Sequence, residues 1–277
     1  MGLLLPGIYF SGYKVSEDTS PGYQNGKDKT LNLLLITAGI VSSISILNLF
    51  CYRDKPPTPP SFTATAERED FKISLKQLIR NRTYILISIC FALVYGCFID
   101  FAVVLGQLIA PFGFESGETS ALSAVCVISG IFGSVIMLNL LKKTLAYKKL
   151  VGICILGSIA SSILMLFVLQ TEVFLFVLLP SVSLGFFIIP VIPILLELAN
   201  EVCYPIGEAT VTGFIYTLAH ISSFILGSIF SLIIDSASED NKKAGTMYVL
   251  FSFCGVFSTA FVCVLFMKQQ LHRTAAE

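Results

Sequence analysis

Two side chains that can carry charge stand inside long apolar runs of this 277-residue sequence. Asp100 lies within ALVYGCFIDFAVVLGQ, and His220 is the only acidic, basic or histidine residue between Ala209 and Ile234. A carboxylate at the centre of a membrane helix costs about 2.5–3.5 kcal/mol on insertion scales, so it normally has water, a partner or a substrate beside it. Residues of this kind in such runs suit the recognition of a small polar or charged solute.

The helical neighbours of these two residues indicate which faces they occupy. At about 100° per residue, small and polar residues share the face of His220, whereas the opposite arc is aliphatic. Such a stripe on a membrane helix faces other helices or a cavity rather than lipid. The face of Asp100 also carries Gly96, Val103, Val104 and Gln107. The residues around His220 are Ala209, Gly213, Tyr216, Thr217, Ser223, Phe224, Gly227 and Ser231.

An aromatic surface with a carboxylate nearby is the combination that binds a quaternary ammonium, through cation–π attraction and charge. We therefore predict a substrate site built from two helices. Two plainer interpretations stay open: a His220 hydrogen-bonded in a bundle core, and an Asp100 that bonds another helix or carries a proton without touching substrate. The candidate site residues from this reasoning are His220, Asp100, Gln107, Tyr216 and Thr217.

Three carboxylates stand at the ends of two consecutive apolar runs. Glu197 and Glu201 lie one helical turn apart at the end of the first run, and Glu208 opens the second. A lysine cluster at 142–149 is predicted to face the same compartment. We predict a charged gate at the inner mouth of a pathway, formed by Glu197, Glu201 and Glu208. The alternative is simple snorkelling and capping of the helix dipole.

Other kinds of chemistry find little support in the sequence. It contains no Ser/His/Asp triad, phosphate-binding loop or HExxH motif, so we do not expect an enzyme. The eight cysteines include no CxxC pair and lie in or beside apolar runs, which is typical of small packing residues rather than a metal site or a disulfide framework. We predict no cofactor. The formal net charge is zero with no basic block, so a nucleic-acid partner is not expected.

The elements that carry these residues are membrane helices. The chain is 55% apolar and only 13% charged, and a run of about 20 apolar residues is enough to cross a bilayer. We predict an all-α integral membrane protein, multi-pass, whose compartment the sequence does not specify. The predicted spans are residues 31–50, 84–109, 119–141, 150–169, 173–200, 208–234 and 246–267.

The remaining segments are connections. Residues 1–12 are apolar but too short to span, and 13–30 are polar and predicted to be an extracytoplasmic loop. Residues 52–83 join two spans; they begin with a proline-rich stretch, in which an SH3-type ligand is an alternative to a spacer. An interfacial helix is predicted to follow it, with an apolar face of Phe71, Leu75, Leu78 and Ile79.

Lys and Arg are distributed unequally between the two sides of this topology. They concentrate in 51–82, 142–149 and 268–277, which the positive-inside rule assigns to the cytoplasm. The last of these segments is then a cytoplasmic tail. The orientation places residues 12–30 and 235–245 on the opposite side of the membrane.

The connector between the spans at 173–200 and 208–234 resembles a known family. Its pattern is similar to the tenth and eleventh helices of major facilitator transporters of the feline leukaemia virus subgroup C receptor group. The proline-rich stretch also resembles that family's central loop, and Pro205-Ile206-Gly207-Glu208 is similar to its less characterised relatives. The residues that carry the resemblance are Gly185, Phe186, Phe187, Pro193, Glu197, Glu201, Tyr204, Pro205, Glu208 and Gly213.

This resemblance implies a major facilitator fold, in which two six-helix halves hold a substrate between them. Residues 1–12 then correspond to a remnant of the fifth helix, 31–51 to the sixth, and 84–267 to the complete carboxy-terminal bundle, so we expect a truncated transporter. The implied activity is alternating-access transport of a small solute: choline, ethanolamine or heme. The family usually carries glutamine where this chain has His220. It also places a substrate-facing aromatic where this chain has Ile99, so the resemblance implies Phe98 or Phe101 as the alternative, and we add Phe98 to the candidate site residues.

Two other functions stay open from the sequence. One is a membrane subunit that does not transport, because half a facilitator has no closed pathway; its partner would be the missing amino-terminal half. The other is a seven-helix receptor, although the third span ends in LLKKTLAY and the last lacks an Asn-Pro-x-x-Tyr motif. The expected partners are the lipid bilayer and a small-molecule substrate.

Overall fold

The computed structural model describes residues 21–51, 71–237 and 241–268. Seven helices in these ranges are long and apolar enough to cross a membrane, and the prediction of seven spans is confirmed. A short helix precedes the second of them. In chain order the helices are α1 (Pro21–Cys51), α2 (Phe71–Arg80), α3 (Arg82–Ile109), α4 (Ser116–Thr144), α5 (Tyr147–Val168), α6 (Phe174–Cys203), α7 (Glu208–Asp235) and α8 (Lys242–Phe266).

Two compact units divide the chain, Met1–Arg68 and Glu69–Glu277. The first contains α1, which begins at Pro21. The predicted loop over 13–30 is therefore wrong from Pro21 onward. Proline is well suited to the first turn of a helix, and Lys27 and Lys29 are good helix formers that let the helix continue beyond its apolar run. The predictions for residues 1–12, the proline-rich stretch and the tail beyond residue 268 fall outside the described residues.

The second unit begins with α2, and the predicted helix in this connection is confirmed. Its apolar residues do not share one environment, because Leu78 is fully buried against the bundle whereas Phe71 and Ile79 are exposed. Asn81 separates α2 from α3. Its side-chain oxygen accepts hydrogen bonds from the backbone N–H groups of Thr83 and Tyr84 at 3.1 and 3.2 Å, a cap that starts the long α3 helix.

Helix α6 packs tightly against α4 and α5 through glycines. A Cβ atom added at Gly185 would lie 1.9 Å from the carbonyl oxygen of Cys126, and one added at Gly133 would lie 2.1 Å from that of Phe186. On the other side of α6, a Cβ at Gly157 would meet the Phe187 ring at 2.4 Å. Close backbone approach through small residues is the way membrane helices associate in the absence of a hydrophobic driving force. The Gly185-Phe186-Phe187 motif is therefore part of the bundle's packing.

Helices α3 and α7 pack side by side along most of their length. The Tyr84 hydroxyl donates to the Val211 carbonyl at 2.8 Å, and an added Cβ at Gly96 would lie 3.2 Å from the Ser223 nitrogen. The residue numbers of the contacting positions increase together along α3 and α7, so the two helices run parallel. We call this contact the α3–α7 seam.

Contacts at the two ends of the bundle agree with a topology in which successive connections alternate between the two sides of the membrane. At one end Lys243, at the start of α8, forms an ion pair with Glu172 in the α5–α6 turn and stands 5.3 Å above the Phe112 ring that follows α3. At the other end the Lys148 ammonium donates to the Leu265 carbonyl at 2.7 Å. The turns that the sequence assigns to one side of the membrane thus meet at one end of the bundle.

Most of the cysteines are packing residues, as predicted. Cys90, Cys97, Cys126, Cys154 and Cys203 are buried. Cys254 and Cys263 are partly buried, and all eight are free thiols. Their side chains fill space between helices as small apolar groups.

Candidate functional site

Four rings meet across the α3–α7 seam. Tyr95 on α3 lies between two residues of α7, with ring-centroid distances of 5.4 Å to Tyr216 and 5.6 Å to His220, both edge-to-face. Phe91, one turn earlier on α3, stacks on Tyr95 at 5.4 Å and meets Tyr216 edge-on at 5.3 Å. Tyr216 and His220 are themselves one turn apart and nearly parallel. We call these four residues the aromatic cluster.

The aromatic cluster runs from the core of the bundle to its surface. Phe91 is buried, Tyr95 and Tyr216 are partly buried, and His220 is exposed. The edge-to-face geometry is the one that aromatic quadrupoles favour, so the rings hold each other in place. Their accessible parts form a preorganised aromatic surface that ends in an imidazole.

Asp100 lies further along the same seam but is turned into it. Its exposure is 3%, and Oδ1 accepts a hydrogen bond from the Ser223 hydroxyl at 2.8 Å. An added Cβ at Gly227 would lie 2.9 Å from Oδ1, so the glycine gives this carboxylate room in the seam. The other oxygen, Oδ2, is buried and has no hydrogen-bond partner among the described residues. A polar oxygen left without a partner in this way is costly to keep.

The surroundings of Asp100 and His220 bear on the interpretations left open by the sequence. The hydrogen bond to Ser223 is the helix–helix contact given as the plainer interpretation of Asp100. His220, in contrast, is the exposed member of the aromatic cluster, so it is not buried in the bundle core. Ser223, which binds the Asp100 carboxylate, is three residues after His220 on α7, so the carboxylate and the aromatic cluster are neighbours along the seam. The carboxylate is turned into the seam, whereas His220 is exposed.

The other predicted substrate residues do not all lie beside the aromatic cluster and Asp100. Phe98 lies on a different side of α3, where it lines an apolar cavity of about 10 Å³ with Phe253 and Phe257, roughly the space of one water molecule. Thr217 is exposed on α7, and its hydroxyl donates to the Gly213 carbonyl at 2.9 Å. Gln107 is also exposed, about two helical turns, or ~10 Å, beyond Asp100.

The predicted gate residues occupy different environments at the α6–α7 connection. Glu197 and Glu208 are exposed, whereas Glu201 is 7% exposed and buried in the bundle. Glu208 is the first residue of α7, where a carboxylate stabilises the positive end of the helix dipole. The three carboxylates therefore do not form one continuous exposed surface.

Sequence reasoning did not select Phe91 and Tyr95 as site residues. A signal was present, because both helices carry an aromatic pair at the i, i+4 spacing: Phe91 with Tyr95, and Tyr216 with His220. Residues at that spacing lie on one helix face. The missing information was the register that brings the two faces together.

A family model described as Major Facilitator Superfamily matches residues 30–228, more than half of the chain. The predicted family resemblance and the all-helical, multi-pass membrane fold are thereby confirmed.

Individual relatives include two named as choline/ethanolamine transporters. The chain is 26% identical over 236 residues to FLVCR1 of Felis catus, covering 82% of this chain and 41% of that protein. It is 29% identical over 253 residues to flvcr2a of Danio rerio, covering 88% and 52%. Solute carrier family 49 member A3 of Danio rerio is 25% identical over 260 residues, covering 89% and 54%. The chain thus spans about half the length of the curated relatives that it matches.

Proposed function

This chain belongs to the Major Facilitator Superfamily, and from that premise we propose that it forms one half of a solute pathway whose substrate is a small organic cation. Residues 84–267 would be the carboxy-terminal six-helix bundle, and residues 31–51 the sixth helix. A second bundle, matching the amino-terminal half of the relatives, would complete the pathway. The function is movement of a solute without chemical change, so the chain would not be an enzyme.

The observation that carries the substrate class is the aromatic cluster with Asp100 beside it. Tyr95, Tyr216 and His220 present ring surface at the edge of the α3–α7 seam. A quaternary ammonium is attracted to the faces of such rings by about 0.5–2 kcal/mol per contact, more when water is excluded. Two of the relatives are named as choline/ethanolamine transporters, and choline has this headgroup.

Asp100 would contribute charge rather than direct contact. Its carboxylate is buried in the α3–α7 seam further along α3 than the aromatic cluster, and Oδ2 is free of partners among the described residues. In a region of low dielectric, a negative charge acts on a cation over several ångströms. Thr217 and Gln107, both exposed, would line the pathway on either side of the aromatic cluster. Phe98 would support α3 from the opposite side.

We further propose that the α6–α7 connection belongs to the inner gate and faces the cytoplasm. Glu197 and Glu208 are exposed there, so both can exchange partners when the two halves of a facilitator rock against each other. Glu201 is buried and would hold the end of α6 in place.

Uptake of radiolabelled choline tests the proposal. The chain would be expressed in cells alone and together with the amino-terminal six-helix half of a related choline/ethanolamine transporter. We expect no uptake above background by the chain alone, and uptake when both halves are present. Wild-type levels of surface expression in both cases are the control. Choline uptake by residues 1–277 alone would contradict the two-half pathway, and the absence of choline uptake when both halves are present would contradict the substrate class.

A further inference from the structure

Helix α2 carries a row of positive charge that the proposed pathway does not use. Lys72, Lys76 and Arg80 follow one another at intervals of four residues and are all exposed. On a helix this spacing places the three side chains along one edge, within about 80° of arc. Arg82, also exposed, follows at the first position of α3. We call Lys72, Lys76 and Arg80 the basic row.

The basic row has no counter-charge within the described residues. None of its three side chains makes a hydrogen bond or an ion pair there. Glu67, Glu69 and Asp70 precede the helix in the sequence. Lys76 and Arg80 lie one and two helical turns beyond Lys72 in α2.

An apolar strip runs beside the basic row. Phe71 and Ile79 are 61% and 52% exposed, and Leu75 between them is partly buried. A shallow groove separates the strip from the row, lined by Lys72, Leu75, Lys76, Ile79 and Arg80. The remaining face of α2 is fixed, because Ser74 and Leu78 are buried where α2 contacts α3 and α7. The strip and the row are therefore presented in a fixed orientation by a folded bundle.

From this arrangement we infer that α2 is a binding surface for the headgroups of anionic membrane phospholipids. The strip of Phe71, Leu75 and Ile79 enters the acyl boundary, as an interfacial helix does. The basic row then stands at the depth of the phosphates. Juxtamembrane clusters of Lys and Arg attract the anionic lipids of the cytoplasmic leaflet, and the unequal distribution of Lys and Arg assigns this end of the bundle to that leaflet.

The test is a lipid titration of the purified full chain in neutral detergent, read by native mass spectrometry. Phosphatidylserine and phosphatidylcholine are compared as probes. We expect preferential binding of phosphatidylserine, and a loss of about tenfold or more in that affinity for K72Q/K76Q/R80Q, since each removed charge weakens attraction to the anionic surface. The preference should also decline as salt is raised, because exposed charges are screened.

Two matched variants separate a specific surface from general charge. K72R/K76R/R80K keeps the charge and should keep the preference for phosphatidylserine. K142Q/K143Q/K149Q removes three charges near the same end of the bundle and should leave the preference unchanged. Helical content and gel-filtration profile, measured for every variant, exclude misfolding as the cause of a loss.

Three outcomes would overturn the inference. The first is wild-type phosphatidylserine binding by K72Q/K76Q/R80Q. The second is an equal loss of phosphatidylserine affinity in K142Q/K143Q/K149Q, which would mean that the total positive charge, rather than the basic row, determines lipid binding. The third is displacement of the lipid by inorganic phosphate at equal concentration, which would indicate a site for free anions rather than a lipid surface.

Discussion

The Ser223 hydroxyl donates to Asp100 Oδ1 at 2.8 Å, and this bond joins α7 to α3 inside the bundle. Both groups belong to helices that also carry the aromatic cluster. The bond therefore has two consequences that can be separated by substitution: it stabilises the seam, and it holds a carboxylate close to the proposed substrate surface.

Asp100→Asn should weaken choline binding strongly while leaving the bundle folded. The amide keeps the shape of the side chain and can still accept the hydrogen bond from Ser223, but it no longer supplies charge. Ser223→Ala should do the reverse: it removes a partner of a buried carboxylate, and we expect about 1–3 kcal/mol of destabilisation. Choline affinity and thermal midpoint, measured on both variants, give the comparison. Normal choline binding by Asp100→Asn would refute the role of the charge.

Tyr95→Leu should lower choline affinity by about 2- to 30-fold, the range expected for one cation–π contact. Tyr95→Phe should retain most of the affinity, because the ring rather than the hydroxyl makes the contact. Phe98→Leu is the matched control, since Phe98 lies on α3 but lines the apolar cavity on its other side. Equal losses for Tyr95→Leu and Phe98→Leu would show that both act through helix packing.

His220→Gln should preserve choline binding within a few-fold, whereas His220→Leu should reduce it markedly. Glutamine retains a polar group that can donate and accept hydrogen bonds at the exposed end of the aromatic cluster. Leucine removes that group without a large change in volume. Isothermal titration of both proteins is the measurement, and identical affinities for the two variants would mean that the imidazole's polar atoms do not contact the solute.

Gly185→Ala should destabilise the bundle by about 1–3 kcal/mol, as overpacking in a tight core does. The added methyl group would overlap the Cys126 carbonyl oxygen, which belongs to α4 backbone and has little freedom to move. Gly213→Ala is the control: nothing lies within 4 Å of its added Cβ, and alanine favours a helix over glycine by up to about 1 kcal/mol. Thermal unfolding in detergent should rank Gly213→Ala at or above wild type and Gly185→Ala below it.

Asn81 should carry no glycan in cells that glycosylate membrane proteins. Asn81-Arg82-Thr83 matches the acceptor motif, but the predicted orientation places it in the cytoplasm, and its side-chain oxygen caps α3. The measurement is electrophoretic mobility before and after glycosidase treatment, with Asn81→Gln as the reference. A mobility shift that is lost in Asn81→Gln would reverse the assigned topology.

The seven spans were predictable because crossing a bilayer requires length and apolar composition, both of which are local properties of the sequence. The start of α1 at Pro21 was not, since polar residues continue that helix beyond its apolar run. Asp100 was identifiable because a carboxylate inside an apolar membrane segment has a high free-energy cost. The direction in which its side chain points was not predictable. That direction depends on Gly227 and Ser223 of another helix, more than a hundred residues away in the chain.

The aromatic cluster illustrates the same limit. Periodicity within α3 could show that Phe91 and Tyr95 share a face, and periodicity within α7 could show the same for Tyr216 and His220. Neither could show that the two faces meet, because the register of parallel helices is set by backbone approach at positions such as Gly96. The family resemblance points to Phe98 as an alternative for the substrate-facing aromatic near Ile99, but in the fold Phe98 lies on a different side of α3.

The contacts of Lys243 with Glu172 and Phe112 have a practical consequence for detecting the protein. They assemble residues from three separate connections into one patch at a single end of the bundle. No short peptide contains that patch, so an antibody raised against it would recognise a discontinuous epitope. It should stain intact, unpermeabilised cells if this end faces outward, and it should fail on a denaturing blot. Such a reagent would report the folded population alone.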